Sequence, residues 1–443
     1  GDSYLAYCFT SKPGMSKVSS YTGNGSTSGP IVQTGFEPAF VMFKATNLAG
    51  NTYWVMLDNK RDGTTKKRLY ANSSSAEDTA NFPVDFLSNG FKINTTNSDV
   101  NANGITYLYL SFAADGSTAT PSLANSFATE IYSGNAGASN TTSQSITSVG
   151  FKPDLTWIKN RDNANNNVLF DSIRGATNWL NSNNTIPAYS NSGTAGASFL
   201  SNGFTTGTSD QTNRNSNGIV AWSWKAGGTP SINTDGTTTS IVSANQAAGF
   251  SVVKYTAAGS QSIGHGLSQS PEIIIQKRTD VTSEWATYTA TTGLQKYLQL
   301  QSSAVVANDA NFMTAVGAST FTSQWSSNSH DYINYCFYSV AGYSKVGTYT
   351  GTGSTGITVT TGFQPTFLLV KAVDGVGGWF LFDNKRNPTN PVNIFIEAQF
   401  SGGDGTAGSV SFDFESNGFE VNSTNAQLNT NGDAYIYLAI KEN

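Results

Sequence analysis

Four stretches of this chain carry one another's motifs, so whatever it folds into must be a unit of roughly a hundred residues that can be used repeatedly. Thr34-Gly-Phe-Glu-Pro-Ala-Phe-Val-Met-Phe-Lys44, Tyr53-Trp-Val-Met-Leu-Asp-Asn-Lys-Arg61 and Phe86-Leu-Ser-Asn-Gly-Phe91 return as Thr361-Gly-Phe-Gln-Pro-Thr-Phe-Leu-Leu-Val-Lys371, Gly378-Trp-Phe-Leu-Phe-Asp-Asn-Lys-Arg386 and Phe414-Glu-Ser-Asn-Gly-Phe419. A more diverged copy has Val149-Gly-Phe-Lys-Pro-Asp-Leu-Thr-Trp-Ile-Lys159, Val168-Leu-Phe-Asp-Ser-Ile-Arg174 and Phe199-Leu-Ser-Asn-Gly-Phe204. In the most diverged one, Ile263-Gly-His-Gly-Leu267, Pro271-Glu-Ile-Ile-Ile-Gln-Lys277 and Trp285-Ala-Thr-Tyr288 stand in their place. The repeat outweighs the length prior of about three domains. It gives four domains, residues 10–115, 122–227, 238–338 and 339–443, each large enough for its own core. Repetition of a whole domain favours an architectural or binding protein over a single-site enzyme.

Within each copy the signals are those of strands. Aromatic and β-branched runs such as Phe40-Val-Met-Phe43, Ile105-Thr-Tyr-Leu-Tyr-Leu110 and Phe250-Ser-Val-Val-Lys-Tyr255 alternate with Asn-Gly turns at Asn103-Gly104, Asn202-Gly203, Asn217-Gly218, Asn417-Gly418 and Asn431-Gly432. No segment holds helical periodicity over three turns. The expected class is all-β, with four tandem antiparallel β-sandwiches of jelly-roll or lectin-like type. Every copy closes on an aromatic strand, as in Asp331-Tyr-Ile-Asn-Tyr-Cys-Phe337, and Gly1-Asp-Ser-Tyr-Leu-Ala-Tyr-Cys-Phe9 matches that closing strand. Residues 1–9 are therefore expected to be the terminal strand of a preceding repeat in a longer protein, or to close a sheet in the first domain or in a neighbouring subunit. Polar junctions at 114–121 and 226–237 read as hinges, and the direct junctions at 12–17 and 339–345 as stiffer.

Charged residues make up 12% of the chain, against about 25% in an average soluble protein, and Asn, Ser, Thr and 44 Gly supply the polar surface. A neutral hydrogen-bonding surface suits an exterior protein that meets glycans or packs beside copies of itself. The net charge of −5 argues against nucleic acid as a partner. No apolar run reaches the length of a membrane span, and the first residues lack the charged and apolar regions expected of a signal peptide. Cys8 and Cys336 fall at one position of the repeat, so both read as buried free thiols.

Asp58/Arg61, Asp171/Arg174 and Asp383/Arg386 repeat an Asp-x-x-Arg spacing after an aromatic strand. No second carboxylate or nucleophile recurs beside them, so they read as structural ion pairs and no catalytic residue is expected. Asp85 and Asp413 lack the spaced acidic cluster of a calcium loop, and His265, between two glycines, lacks partners at metal spacing. The Gly-rich stretches at 23–25 and 351–353 have no following helix and Lys for phosphate and read as hairpin loops. Neither a metal nor a cofactor is expected. Most Trp residues occupy recurring strand positions and read as core; Trp179 and Trp325 stand outside them and are the candidate surface residues for stacking on a sugar.

The combination of Tyr332-Ile-Asn-Tyr-Cys-Phe337, Gly342-Tyr-Ser-Lys-Val-Gly-Thr-Tyr-Thr-Gly351 and the Thr-Gly-Phe-x-Pro-x-Phe-x-x-x-Lys pattern resembles a repeat domain of bacteriophage structural proteins, many of them marine. The resemblance touches all four copies. It implies a concanavalin-like or SPRY-like sandwich on the virion exterior, as a tail fibre, tail appendage or capsid decoration. Other virion proteins and a host surface glycan or protein receptor would be the partners, and a homo-oligomer, taken as a trimer, the assembly. The alternatives are a capsid decoration or head fibre without a receptor role, and a cellular adhesin or filament protein.

Overall fold

The computed structural model is all-β: eight antiparallel sheets and, among the described residues, three single-turn helices. The structure describes residues 6–442 except 13–14, 49–51, 62–66, 79–81, 88–89, 114–122, 124, 137–141, 191, 260 and 324–328. Two compact units result, residues 1–120 with 229–231 and residues 121–228 with 232–443. The copies are thus grouped as one and three, where the sequence alone suggested four separate domains.

The first unit pairs a five-stranded sheet with a three-stranded one. Its leading strand Ser16–Thr22, terminal strand Thr106–Ala113, motif strand Pro38–Ala45, second strand Val55–Asp58 and third strand Leu69–Tyr70 lie side by side in that order. Val41, Phe43, Leu57 and Tyr109 from the large sheet meet Val32, Val84, Phe91 and Ile93 from the small one. Alternation decides this: in Pro38–Ala45 and Thr106–Ala113 every second side chain enters the core.

The second unit repeats the arrangement three times. Motif strands Leu155–Asn160, Ile273–Arg278 and Phe367–Ala372 each lie between a terminal strand (Gly218–Trp224, Asp331–Phe337, Ala434–Ile440) and a second strand (Val168–Asp171, Trp285–Thr289, Trp379–Asp383). The registers agree: Phe40 faces Phe112 as Leu155 faces Trp224, Ile273 faces Phe337 and Phe367 faces Ile440, so positions can be equated residue by residue. Each copy has a core between its own large and small sheets. A fourth, larger cluster joins the outer faces of all three large sheets. Antiparallel sheets commonly leave one face wet, but here the terminal and motif strands are buried on both faces almost throughout.

Local chemistry explains the recurring motifs. Gly35, Gly150 and Gly362 of the Gly-Phe turn have φ of +88°, +81° and +92°, a backbone region glycine enters without strain. The single-turn helices Ser98–Asn101, Asp210–Asn213 and Ala426–Asn429 precede the terminal strands, and each ends in a buried Asn. Asn101 accepts from the Asn24 amide and donates to the Ser26 and Thr95 carbonyls; Asn213 and Asn429 tie down the equivalent loops at Asn135 and Thr352. A Cβ at Gly23 or Gly351 would come within 2.4 or 2.1 Å of the helix-end carbonyl, which keeps those hairpin positions as glycine.

Two expectations are corrected. Cys336 is buried, and burial pushes its thiol up to about 12, but Cys8 is exposed, in a stretch, residues 6–10, that joins no sheet among the described residues. The junction after the second copy is not a free hinge at its start. Ala226 is fully buried, and the Asp154 carboxylate accepts from the Ala226 and Gly228 amides at 2.8 and 3.4 Å. Burial raises Asp154 to about 6 against these bonds and that of the Ser172 hydroxyl. Residues 1–5 and the junction at 114–121 lie outside the described residues.

Candidate assembly interface

The residues that sequence repetition singled out converge on the joint between copies in the second unit, where three contacts run the same way round a closed ring. The first is the lysine one residue before the end of each motif strand. Lys159 of the second copy donates to the Ser401 carbonyl of the fourth at 2.7 Å, Lys371 of the fourth to Ala304 of the third at 2.9 Å, and Lys277 of the third to Thr185 of the second at 3.0 Å. Each ammonium also bonds a carbonyl of its own copy, from Asn165, Ala372 or Ser283. Burial lowers these lysines to about 8 for Lys159 and Lys277 and about 7 for Lys371.

At the start of the second strand comes the next contact. The Trp285 indole donates to the Asn181 carbonyl at 2.9 Å and the Trp379 indole to Gln299 at 2.9 Å. Those acceptors are equivalent, ending the third strands Trp179–Asn181 and Lys296–Gln299. In the second copy this place is taken by Asn167, whose amide reaches the Phe400 carbonyl of the fourth at 2.8 Å.

The third contact uses the Asp-x-x-Arg pairs. In all three, one carboxylate oxygen caps the turn by accepting the Arg amide at 2.8–2.9 Å, and the other takes the Arg Nε, at 2.5 Å in Asp58–Arg61, 2.6 Å in Asp171–Arg174 and 2.7 Å in Asp383–Arg386. In the ring each pair also receives a neighbour. Trp222 of the second copy donates to Asp383 at 3.1 Å and lies 5.4 Å beneath the Arg386 guanidinium; Tyr335 of the third donates to Asp171 at 2.9 Å. The third copy has Thr289 and Thr292 instead, bonded to each other at 3.1 Å, and the fourth copy holds Leu438 in the Trp222 register. Where the charged pair is missing, so is the polar group that would answer it. Asp404 adds a bridge between copies, 2.8 Å from Arg161 and 3.1 Å from Arg386.

At the centre, side chains such as Trp157, Trp224, Ile275, Phe337 and Phe367 leave a cavity of about 10 Å³, room for one water at most. The middle of the ring is a core.

The remaining candidates fall elsewhere. Trp179 is not at the surface: it is buried in a third strand, stacked on Tyr189 with centroids 3.7 Å apart, its indole bonded to the Ser192 carbonyl. Its strand is only three residues long, which hid it in the sequence. Trp325 lies outside the described residues. Asp85 and Asp413 accept from Asn94 and Asn422 at 2.6 and 2.9 Å across small-sheet hairpins. His265 is buried; its Nδ1 accepts from the Leu267 amide and its Nε2 donates to the Gly317 carbonyl, and burial lowers its pKa. Among the described residues no group of three or more His, Cys, Asp or Glu is placed to hold a metal ion. Sequence reasoning passed over the motif lysines. Their signal was a lysine closing an apolar strand in all four copies, a costly residue to place there without a partner.

The family described as a domain of unknown function (DUF7483) matches residues 1–115 and 122–443. The two stretches follow the division into units, so the family's pattern runs across the three-copy ring without a break. No curated protein matches the chain.

Proposed function

This chain belongs to the DUF7483 family through both of its units, and from its repeated motifs and uncharged polar surface we propose that it is a non-catalytic structural protein of the virion exterior, a tail-fibre or appendage segment of tandem β-sandwich domains that meets the host cell surface. Each repeat is one sandwich domain, and three of the four are locked into a block. The observation that carries this reading is where the recurrent polar residues go. Lys159, Lys277, Lys371, Asp171 and Asp383, the groups repetition would have kept for chemistry, are buried in contacts between copies. Such use supports architecture, and the neutral Asn-, Ser- and Thr-rich exterior supports contact with glycans. The partners on this reading are other virion proteins and a host glycan or protein receptor. The test is cryo-electron microscopy of the particle that carries the polypeptide, paired with adsorption of the purified chain to susceptible cells. Density on a tail and binding that competes with infection are expected. Density on a capsid overturns the receptor role, and density on a cellular filament overturns the viral reading.

A further inference from the structure

The first unit presents to solvent the face that the other three copies bury. Leu108 is 47% exposed, while its equivalents Val220, Ile333 and Ile436 are 0%, 0% and 2% exposed. Trp54 is 37% exposed against 0% for Trp285 and 1% for Trp379. Val18 is exposed where Val346 is buried, and Phe40, Met42, Leu110 and Phe112 are all left partly uncovered. The joint's polar parts are present as well. Lys44 lies one residue before the end of the motif strand but folds back onto Thr52 of its own copy, and the Asp58–Arg61 pair, a quarter exposed, meets its own Glu77 in place of a neighbour's aromatic residue. Among the described residues only Phe9 reaches this face, its ring edge-on to Phe112 with centroids 6.0 Å apart; a contiguous apolar sheet face carrying the donors of an interface built three times elsewhere in the molecule is otherwise an open interface.

We propose that two further copies of this chain cover it, their first repeats closing a second ring of three, so that the protein is a homotrimer joined through its first unit. The occupant follows from the internal joints: every such face in the second unit is covered by two others of the same repeat, in cyclic order, and this generates a closed threefold contact when the copies are identical. In that ring the Trp54 indole of one protomer donates to the Tyr70 carbonyl of the next, the register equivalent of Asn181 and Gln299. The Lys44 ammonium keeps Thr52, as Lys277 keeps Ser283, and adds a carbonyl of the neighbour's loop at residues 71–78, while Met42 and Phe112 go to the centre, where their equivalents Trp157, Ile275, Trp224 and Phe337 line the cavity.

Sedimentation equilibrium of the full chain at micromolar concentration tests this. Three times the chain mass is expected. Leu108→Glu, which alters an exposed side chain and leaves the fold's circular dichroism unchanged, should lower the mass threefold, whereas Ile241→Glu on an exposed strand of the second unit should not. Trp54→Phe reports the indole bond separately, through a dissociation constant raised about tenfold. A single-chain mass at every concentration, a dimer, or a trimer that survives Leu108→Glu overturns the proposal, a single-chain mass being the result if other domains cover the face.

Discussion

The two units set one sheet face in two conditions. In the second, a motif strand such as Phe367–Ala372 is buried on both faces, its lysine and second-strand tryptophan bonded to a neighbouring copy. In the first, the strand Pro38–Ala45 is as apolar, yet one face is only half-buried and its lysine bonds at home. A strand's composition therefore does not say whether its second face is covered; the neighbour does. The comparison also shows what a neighbour changes: the side chains of Asp171 and Arg174 are 0% and 4% exposed, and those of Asp58 and Arg61 are 23% and 25%.

That contrast can be broken most forcefully at the ion pairs. Asp171→Ala strands the buried Arg174 cation and should destabilise the second unit by about 3–5 kcal/mol, while Asp58→Ala, with Arg61 still facing Glu77, should cost about 1 kcal/mol or less. Denaturant unfolding read separately for the two transitions measures both, and equal costs would erase the distinction. Trp379→Phe removes a buried indole and its bond and should cost about 1–3 kcal/mol. Trp54→Phe, measured on dissociated protomers, should cost less than about 0.5 kcal/mol.

Smaller effects sharpen the comparison. Thr289→Asp with Thr292→Arg and Leu438→Tyr should rebuild the missing third polar joint. The rebuilt set should be better than the sum of its parts by about 0.5–3 kcal/mol in a mutant cycle; strict additivity would mean the three sites do not meet. The shallowest effect is with pH. The buried lysines hold folded values of about 7–8 beneath an unfolded value of about 10.4, so the native state sheds protons first and stability rises with pH from about 7. Cys336 and buried tyrosines such as Tyr255 and Tyr335 have raised values, so the unfolded chain ionises before the folded one and the rise turns over above about pH 9. Lys371→Met should flatten the rise in a thermal-melting series and leave the first unit's transition unmoved.

The all-β class was legible because Asn-Gly turns and alternating runs are local signals, and so were the Asp-x-x-Arg pairs, whose partners lie three residues apart. Their neighbours were not. Trp222 and Asp383 are 161 positions apart, and nothing near either names the other. The two cysteines were equated because their strands match, but Cys336 lies within a sheet and Cys8 does not, a difference of partners. Trp179 misled for a related reason: a three-residue strand has too few positions to show a period, yet stacking on Tyr189 and a place in the second copy's core bury it. Only the lysines offered a local clue, since a cation at the end of an apolar strand needs carbonyls from somewhere.

The three joined copies are also one covalent molecule. Segments as short as residues 339–345 hold adjoining copies near each other, which for short linkers corresponds to millimolar effective concentrations. Dilution therefore has no hold on that ring. Freed from identity, its copies can also diverge one at a time, as Trp222, Tyr335 and Leu438 have done opposite their separate partners, a latitude that an assembly of identical subunits does not have.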